Sequence, residues 1–158
     1  RIQRAKNSPV LIRDCDVYGL NVYGNYAGGM IGYVNQNKEA FYKLYNCNVI
    51  GKSAIIEDGK LSAGDDGVYT IQGYQASGGL IGRSRTKLDS DTNKNRNLQS
   101  SFNYNGVNYL YDIDGVYVYN YTISETGAIQ AGAGAGGIFG VSNEVVRYVC
   151  NAKVENNQ

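Results

Sequence analysis

Gly28-Gly29-Met30-Ile31-Gly32 is one of three copies of a single short pattern. The others are Gly78-Gly79-Leu80-Ile81-Gly82 and Gly136-Gly137-Ile138-Phe139-Gly140. Each has two Gly, two large apolar residues and a further Gly. The copies start 50 and then 58 residues apart. Gly permits positive φ at corners and lets one backbone pass close to another. Met30-Ile31, Leu80-Ile81 and Ile138-Phe139 therefore read as short core strands between Gly-lined corners.

A second element recurs beside the first. Asp14-Cys15-Asp16-Val17 resembles Asn46-Cys47-Asn48-Val49, and Val149-Cys150-Asn151-Ala152 shares part of the frame. Asp112-Ile113-Asp114 fits it with Ile in place of Cys. Neighbouring residues of a strand point to opposite faces. This alignment predicts an inward ladder of Cys15, Cys47, Ile113 and Cys150, joined by Val17 and Val49, with Asp and Asn pointing outward or marking corners. The cysteines then act as small apolar side chains. An odd number of Cys cannot all pair within the chain, and without His or a CxxC pair no zinc site is expected.

Self-similarity at this period is the mark of a solenoid, in which stacking repeats bury faces that no single repeat can bury alone. The composition agrees. The chain has 21 Gly and 15 Tyr but one Pro and no Trp or His. Tyr, Val and Ile favour pleated half-buried surfaces, and Gly and Asn favour turns. The expected fold is all-β, a β-solenoid with one long polar insert, spanning residues 1–158 as a single repeat domain. A β-sandwich is the alternative, because short strands separated by frequent turns suit both.

The Gly-Gly-apolar-apolar-Gly cores and their Asn-Cys-Asn-Val-like partners together resemble GLUG-motif repeats. Such repeats occur in large bacterial surface proteins, including adhesins and the non-catalytic regions of some surface proteases. The resemblance touches residues 14–51, 67–82 and 111–154. Met30 and Ile138 replace the usual Leu, and the spacings are irregular. The resemblance implies a repeat scaffold at an extracellular bacterial surface, with a host or matrix protein or a glycan as partner. The chain opens at Arg1 without a start Met and reads as a fragment of a larger protein.

Several segments depart from the repeat. Residues 83–101, RSRTKLDSDTNKNRNLQSS, read as an exposed loop insert in place of the strand expected after the second motif. Asp89, Asp91, Asn93 and Asn95 alternate like half a calcium loop, but Lys94 stands where such loops need Gly and no Glu closes the set. Asp65-Asp66 precedes Gly67 and reads as a turn rather than a metal site. Residues 131–137, AGAGAGG, read as a close-packed layer or a corner; no GK[ST] follows, so they are not a phosphate loop. Residues 104–121, YNGVNYLYDIDGVYVYNY, are the main surface candidate. Alternation there predicts Leu110, Val116 and Val118 facing inward. Tyr109, Tyr111, Tyr117, Tyr119 and Tyr121 would form an outward row, suited to pairing across strands or to binding a glycan or protein.

Function classes follow from what is present. A net charge of +1 gives no field for nucleic acid. No apolar run is long enough to insert in a membrane as a helix. Without His, His-based acid–base and triad chemistry is excluded. Asp112 and Asp114 would share a strand face, the arrangement a β-helical polysaccharide-degrading enzyme would need. Equivalent carboxylates or amides at Asp14/Asp16 and Asn46/Asn48 favour corner geometry instead. The reading is a non-catalytic scaffold or adhesion segment without cofactor or metal. The alternative is a carbohydrate-binding module using the Tyr row.

Overall fold

The computed structural model of the chain describes residues 10–36, 42–51, 54–57, 60–63, 69–86, 102–119, 121–125, 134–143, 149–155 and 157–158. All regular structure among them is strand, as the composition predicts. In chain order these are β1 (Val10–Tyr18), β2 (Val22–Gly28), β3 (Ile31–Gln36), β4 (Tyr42–Ile50), β5 (Ala54–Glu57), β6 (Lys60–Ala63), β7 (Thr70–Gly78) and β8 (Ile81–Thr86). After them come β9 (Phe102–Tyr104), β10 (Val107–Tyr109), β11 (Ile113–Asp114), β12 (Tyr117–Tyr119), β13 (Thr122–Glu125), β14 (Gly134–Gly136) and β15 (Phe139–Asn143). β16 (Val149–Cys150) and β17 (Lys153–Glu155) end the series.

Three sheets are parallel throughout. In the first, β1 and the pair β11 and β12 flank β4, and β16 and β17 lie beyond β11 and β12. In the second, β2 lies on one side of β7 and β13 and β14 on the other. In the third, β3 and β15 flank β8. The three Gly motifs stand in register: Ile31 pairs with Ile81, and Ile81 with Phe139. Two antiparallel hairpins, β5–β6 and β9–β10, stand apart from these sheets.

The buried side chains of all three sheets form one cluster, including Leu44, Val49, Ile71, Leu80, Ile81, Ile113 and Val118. Each such side chain contributes about 1.5–3 kcal/mol when fully buried. Burial is graded across the first sheet. Val49 and Val118 in its middle rows are wholly buried, Val17 in the first row is half-buried, and Val154 in the last is 41% exposed. These four Val occupy one register position. A Cβ on the second Gly of each motif would strike the Val of the following row: Gly29 meets Val49, Gly79 meets Val118 and Gly137 meets Val154. The absence of a side chain is what lets motif and Val pack together.

The inward ladder differs from the expected one. Cys15 pairs with Cys47, but Ile113 pairs with Leu44 and Val149, and Cys150 pairs with Asp114. Asp14, Asn46, Gly115 and Asn151 all have φ between 46° and 64°, the left-handed region. That kink interrupts the two-residue alternation, so Leu44, Cys47 and Val49 are all buried although 44 and 47 are an odd number apart. The register Asp114↔Tyr45 and Tyr117↔Asn48 puts Gly115 opposite Asn46 and Val116 opposite Cys47. Val116 is buried, and it, not Ile113, continues the Cys row. Cys15 is exposed, Cys47 buried and Cys150 intermediate. Kinked neighbours are tied by side chains: Asn46 Nδ2 donates to Asp14 Oδ1 (2.8 Å) and Asn48 Nδ2 to Asp16 Oδ1 (2.7 Å). Asn151 Nδ2 likewise donates to Asp114 Oδ1 at 2.9 Å.

The first four residues of the expected insert are strand, and residues 87–101 lie outside the described residues. Residues 83–86 belong to β8, where Arg83 pairs with Tyr33 and Val141. Residues 102–109, just past the expected insert, form the β9–β10 hairpin. Asp65, Asp66, Asp89, Asp91, Asn93 and Asn95 lie outside the described residues. Within the AGAGAGG run, Gly134–Gly136 is strand β14, paired with Ala76–Gly78.

Candidate binding surface

The Tyr-rich run does not form one outward row. Tyr109 is only 3% exposed, whereas Leu110 is 42% exposed, the reverse of the expected alternation. β10 ends at Tyr109, so strand periodicity does not carry into Leu110 and Tyr111. Tyr109 packs edge-on against Tyr45, with ring centroids 4.8 Å apart at 89°. Its hydroxyl accepts from Arg13 Nη1 at 2.9 Å. The same guanidinium lies 5.9 Å from the ring centre of exposed Tyr104. Tyr111 is half-buried; its N–H donates to the Tyr45 hydroxyl (2.7 Å), which donates in turn to Tyr111 O (3.0 Å). Burial raises the Tyr45 pKa above its ordinary value of 10.0, opposed by the bond to the Tyr111 backbone and aided by the charges of Asp114 and Asp112.

Alternation does hold along β12. Val118 is buried, and Tyr117 and Tyr119 are half-buried on the other side, with ring centroids 5.6 Å apart. Tyr117 Oη donates to Glu155 Oε2 at 2.7 Å, and Lys153 Nζ lies 2.9 Å from Glu155 Oε1. Lys153 Nζ also sits 5.1 Å from the Tyr117 ring centre. The phenol of Tyr117 is raised far above its ordinary range, first by burial and then by the adjacent Glu155 carboxylate. Glu155 is lowered reciprocally, first by the Tyr117 hydroxyl and then by Lys153. Tyr121 lies beyond β12 and is buried; its hydroxyl donates to Ile50 O at 3.4 Å. Of the five predicted Tyr, then, Tyr117 and Tyr119 form a common patch. Tyr111 stands with the Tyr45–Tyr109 group, and Tyr109 and Tyr121 serve the interior.

The two candidate carboxylates have separate partners. Asp112 is buried, its Oδ1 3.3 Å from the wholly buried Lys43 Nζ, which also donates to Leu110 O at 3.3 Å. Asp114 is half-buried and accepts from Asn151. The Lys43–Asp112 pair fastens the segment ahead of β11 onto β4; desolvating two charges costs several kcal/mol per ion, so such a pair holds position more than it adds stability. Among the described residues no group of three His, Cys, Asp or Glu could hold a metal ion.

A second aromatic group lies outside the segment that the sequence marks as the surface candidate. Tyr26 and Tyr33 stack at 5.2 Å and 25°. Arg83 lies 5.2 Å from the Tyr26 ring centre and donates from Nη1 to its hydroxyl at 3.0 Å, while that hydroxyl donates to Gln75 Oε1 at 2.7 Å. A sequence signal for it exists: Tyr33 and Arg83 each follow the last Gly of a motif copy. Both hold register across β3 and β8.

Comparison with known proteins finds no matching family model, no similar curated protein and no similar solved structure. No helix of the described residues is long and apolar enough to cross a membrane.

Proposed function

We propose that the chain is a β-solenoid of GLUG-like repeats acting as a non-catalytic scaffold or adhesion segment, displayed extracellularly at a bacterial surface. One observation carries this reading. Successive thirds of the chain contribute equivalent strands, in parallel and in register, to all three sheets: β1–β2–β3, then β4–β7–β8, then β11 and β12, β13 and β14, and β15. Such addition of one coil to the next is what a solenoid does, and parallel pairing is foreign to a sandwich of hairpins. Excursions that interrupt the coils, such as β5–β6 and β9–β10, are where a scaffold carries specificity. On the outer face of the first sheet, polar side chains of adjacent rows are tied in pairs, Asn46 to Asp14, Asn48 to Asp16 and Asn151 to Asp114. The scaffold's partner is a host or matrix protein or glycan.

The half-buried pair Tyr117–Tyr119, with Lys153 and Glu155 beside it, favours a second reading as a carbohydrate-binding module, because a shallow aromatic patch edged by polar groups suits a sugar ring. The two readings separate in a screen of the purified chain on a glycan array, a set of matrix proteins and a panel of polysaccharides. The scaffold reading expects no depolymerisation and no glycan signal that depends on these rings. A glycan signal abolished by Tyr117→Ala and Tyr119→Ala establishes the module instead, and release of sugar from any polysaccharide overturns both.

A further inference from the structure

Two of the three cysteines stand opposite each other. Cys15 in β1 pairs with Cys47 in β4, and both are free thiols. Neighbouring strands lie about 4.7–4.9 Å apart, within the Cα separation of about 4.4–6.8 Å that a disulfide spans. The two side chains also sit alike on their strands. Cys15 Sγ donates to Arg13 O at 3.1 Å and Cys47 Sγ to Tyr45 O at 3.2 Å, and Arg13 and Tyr45 are themselves register partners. Cys47 Sγ leans toward the row of Cys15, with Ile12 O 3.8 Å away.

The backbone around the pair is clamped. Each Cys follows a left-handed residue, Asp14 (φ 52°) or Asn46 (φ 51°), and those two are joined side chain to side chain at 2.8 Å. On the other flank Asn48 is joined to Asp16 at 2.7 Å. The thiols are thus bracketed by two ties between the same two strands. Cys150 is placed differently. It pairs with Asp114, which pairs with Tyr45, so it aligns with Tyr45 rather than Cys47 and lies two strands away from β4. Of the three ways to pair these cysteines, the register supports one.

We infer that Cys15 and Cys47 are a site of disulfide formation that fastens β1 to β4. The oxidant is a small external disulfide such as oxidised glutathione. One cysteine thiolate attacks it, giving a mixed disulfide and releasing one glutathione. The other cysteine thiolate attacks the protein sulfur of that mixed disulfide and releases the second glutathione. Each departing glutathione thiolate takes up the proton that a cysteine gave, so two thiols of the chain are oxidised as one external disulfide is reduced. Side chains of parallel partners keep their Cβ atoms about as far apart as the strands, slightly beyond the usual range of about 3.5–4.5 Å, so closure draws the strands together here and leaves the bond easily reduced. The site rests on the pairing register and not on the surface role proposed above. The test supplies the oxidant, so its failure leaves that role standing.

The purified chain is equilibrated with oxidised and reduced glutathione over a range of ratios. Remaining thiols are then alkylated and the digest is mapped by mass spectrometry. The expected product has one internal bond, Cys15 to Cys47, and has lost two hydrogens, while Cys150 is found alkylated or capped by glutathione. Cys150→Ser should form the same bond at the same ratio. Cys47→Ser should leave Cys15 capped by glutathione with no internal bond, and circular dichroism checks that each variant folds. Cross-linking restricts the unfolded chain, so the urea midpoint of the parent should rise on oxidation and return when dithiothreitol is added. Cys15 and Cys47 unbonded at every ratio, an internal bond that uses Cys150, or an oxidised chain less resistant to urea than the reduced one would each overturn the proposal.

Discussion

Gly79 and Gly137 hold the same place in two copies of the motif, yet a methyl group meets different atoms at each. At Gly79 it would overlap the carbonyl oxygen of Gly137 as well as Val118, and at Gly137 only the side chain of Val154. Backbone cannot step aside as a side chain can. Gly79→Ala should therefore destabilise by about 2–3 kcal/mol, the upper part of the overpacking range, and Val118→Ala should not rescue it. Gly137→Ala should cost less and be largely relieved by Val154→Ala; urea denaturation of the singles and doubles measures both. The cysteines give a second check on the same packing. Cys15 is exposed, whereas Cys47 is buried and its thiol pKa is raised by that burial. Because the thiolate is the reactive form, a thiol reagent should label Cys15 first, Cys150 next and Cys47 only on unfolding. Early labelling of Cys47, read by peptide mass mapping, would contradict the inward row.

Along a single element, the left-handed residue in β4 sets which side chains face inward on each side of it. Asn46 (φ 51°) tolerates that conformation better than most residues, and Gly tolerates it without cost. Asn46→Ala should destabilise by about 1–2 kcal/mol. Asn46→Gly should stay within roughly 0.5 kcal/mol of the parent despite losing the bond to Asp14, because surface changes are usually that small. An equal loss in both variants would mean that the side chain, not the backbone, fixes the bend. This residue also explains what the sequence could and could not disclose. The Gly motif is local, and its three copies align by eye, so the all-β class and the in-register core strands at Ile31, Ile81 and Phe139 are legible. Aligning the second frame on its apolar residue puts Cys150 beside Cys47. The fixed point of that frame is the kink, where Gly115 replaces Asp or Asn in the third row and hides the likeness. Tyr109 and Tyr121 are misplaced by alternation for a different reason. Their partners Arg13 and Ile50 lie 96 and 71 residues away, and parallel pairing brings together segments that no window of sequence compares.

Across the molecule the phenols link stability to alkaline pH. Burial is the largest cause of a raised pKa at Tyr45, Tyr117 and Tyr121, and Glu155 adds to it at Tyr117. Each of these groups holds its proton more tightly in the folded chain than in the unfolded one, whose phenols ionise near 10.0. Their contribution to stability is complete below that pH and is lost as pH rises through the higher folded values, because there the unfolded chain releases protons the folded chain keeps. The denaturation midpoint should hold steady up to about pH 9 and then fall with increasing slope above about pH 10. In the ultraviolet a share of the 15 Tyr should form phenolate only as the chain unfolds. Two variants assign the effect. Tyr121→Phe removes one buried phenol together with its bond to Ile50 O and should flatten part of the alkaline fall. Tyr117→Phe should do the same and also let the carboxyl of Glu155 rise toward its ordinary value, since the phenol is the main group lowering it. That second shift is readable from the Glu155 side-chain resonance under acid titration. If all the Tyr ionise together near about pH 10 while the chain remains folded, the rings are wetter than these contacts require, and the packing of Tyr45 and Tyr121 between neighbouring rows is wrong.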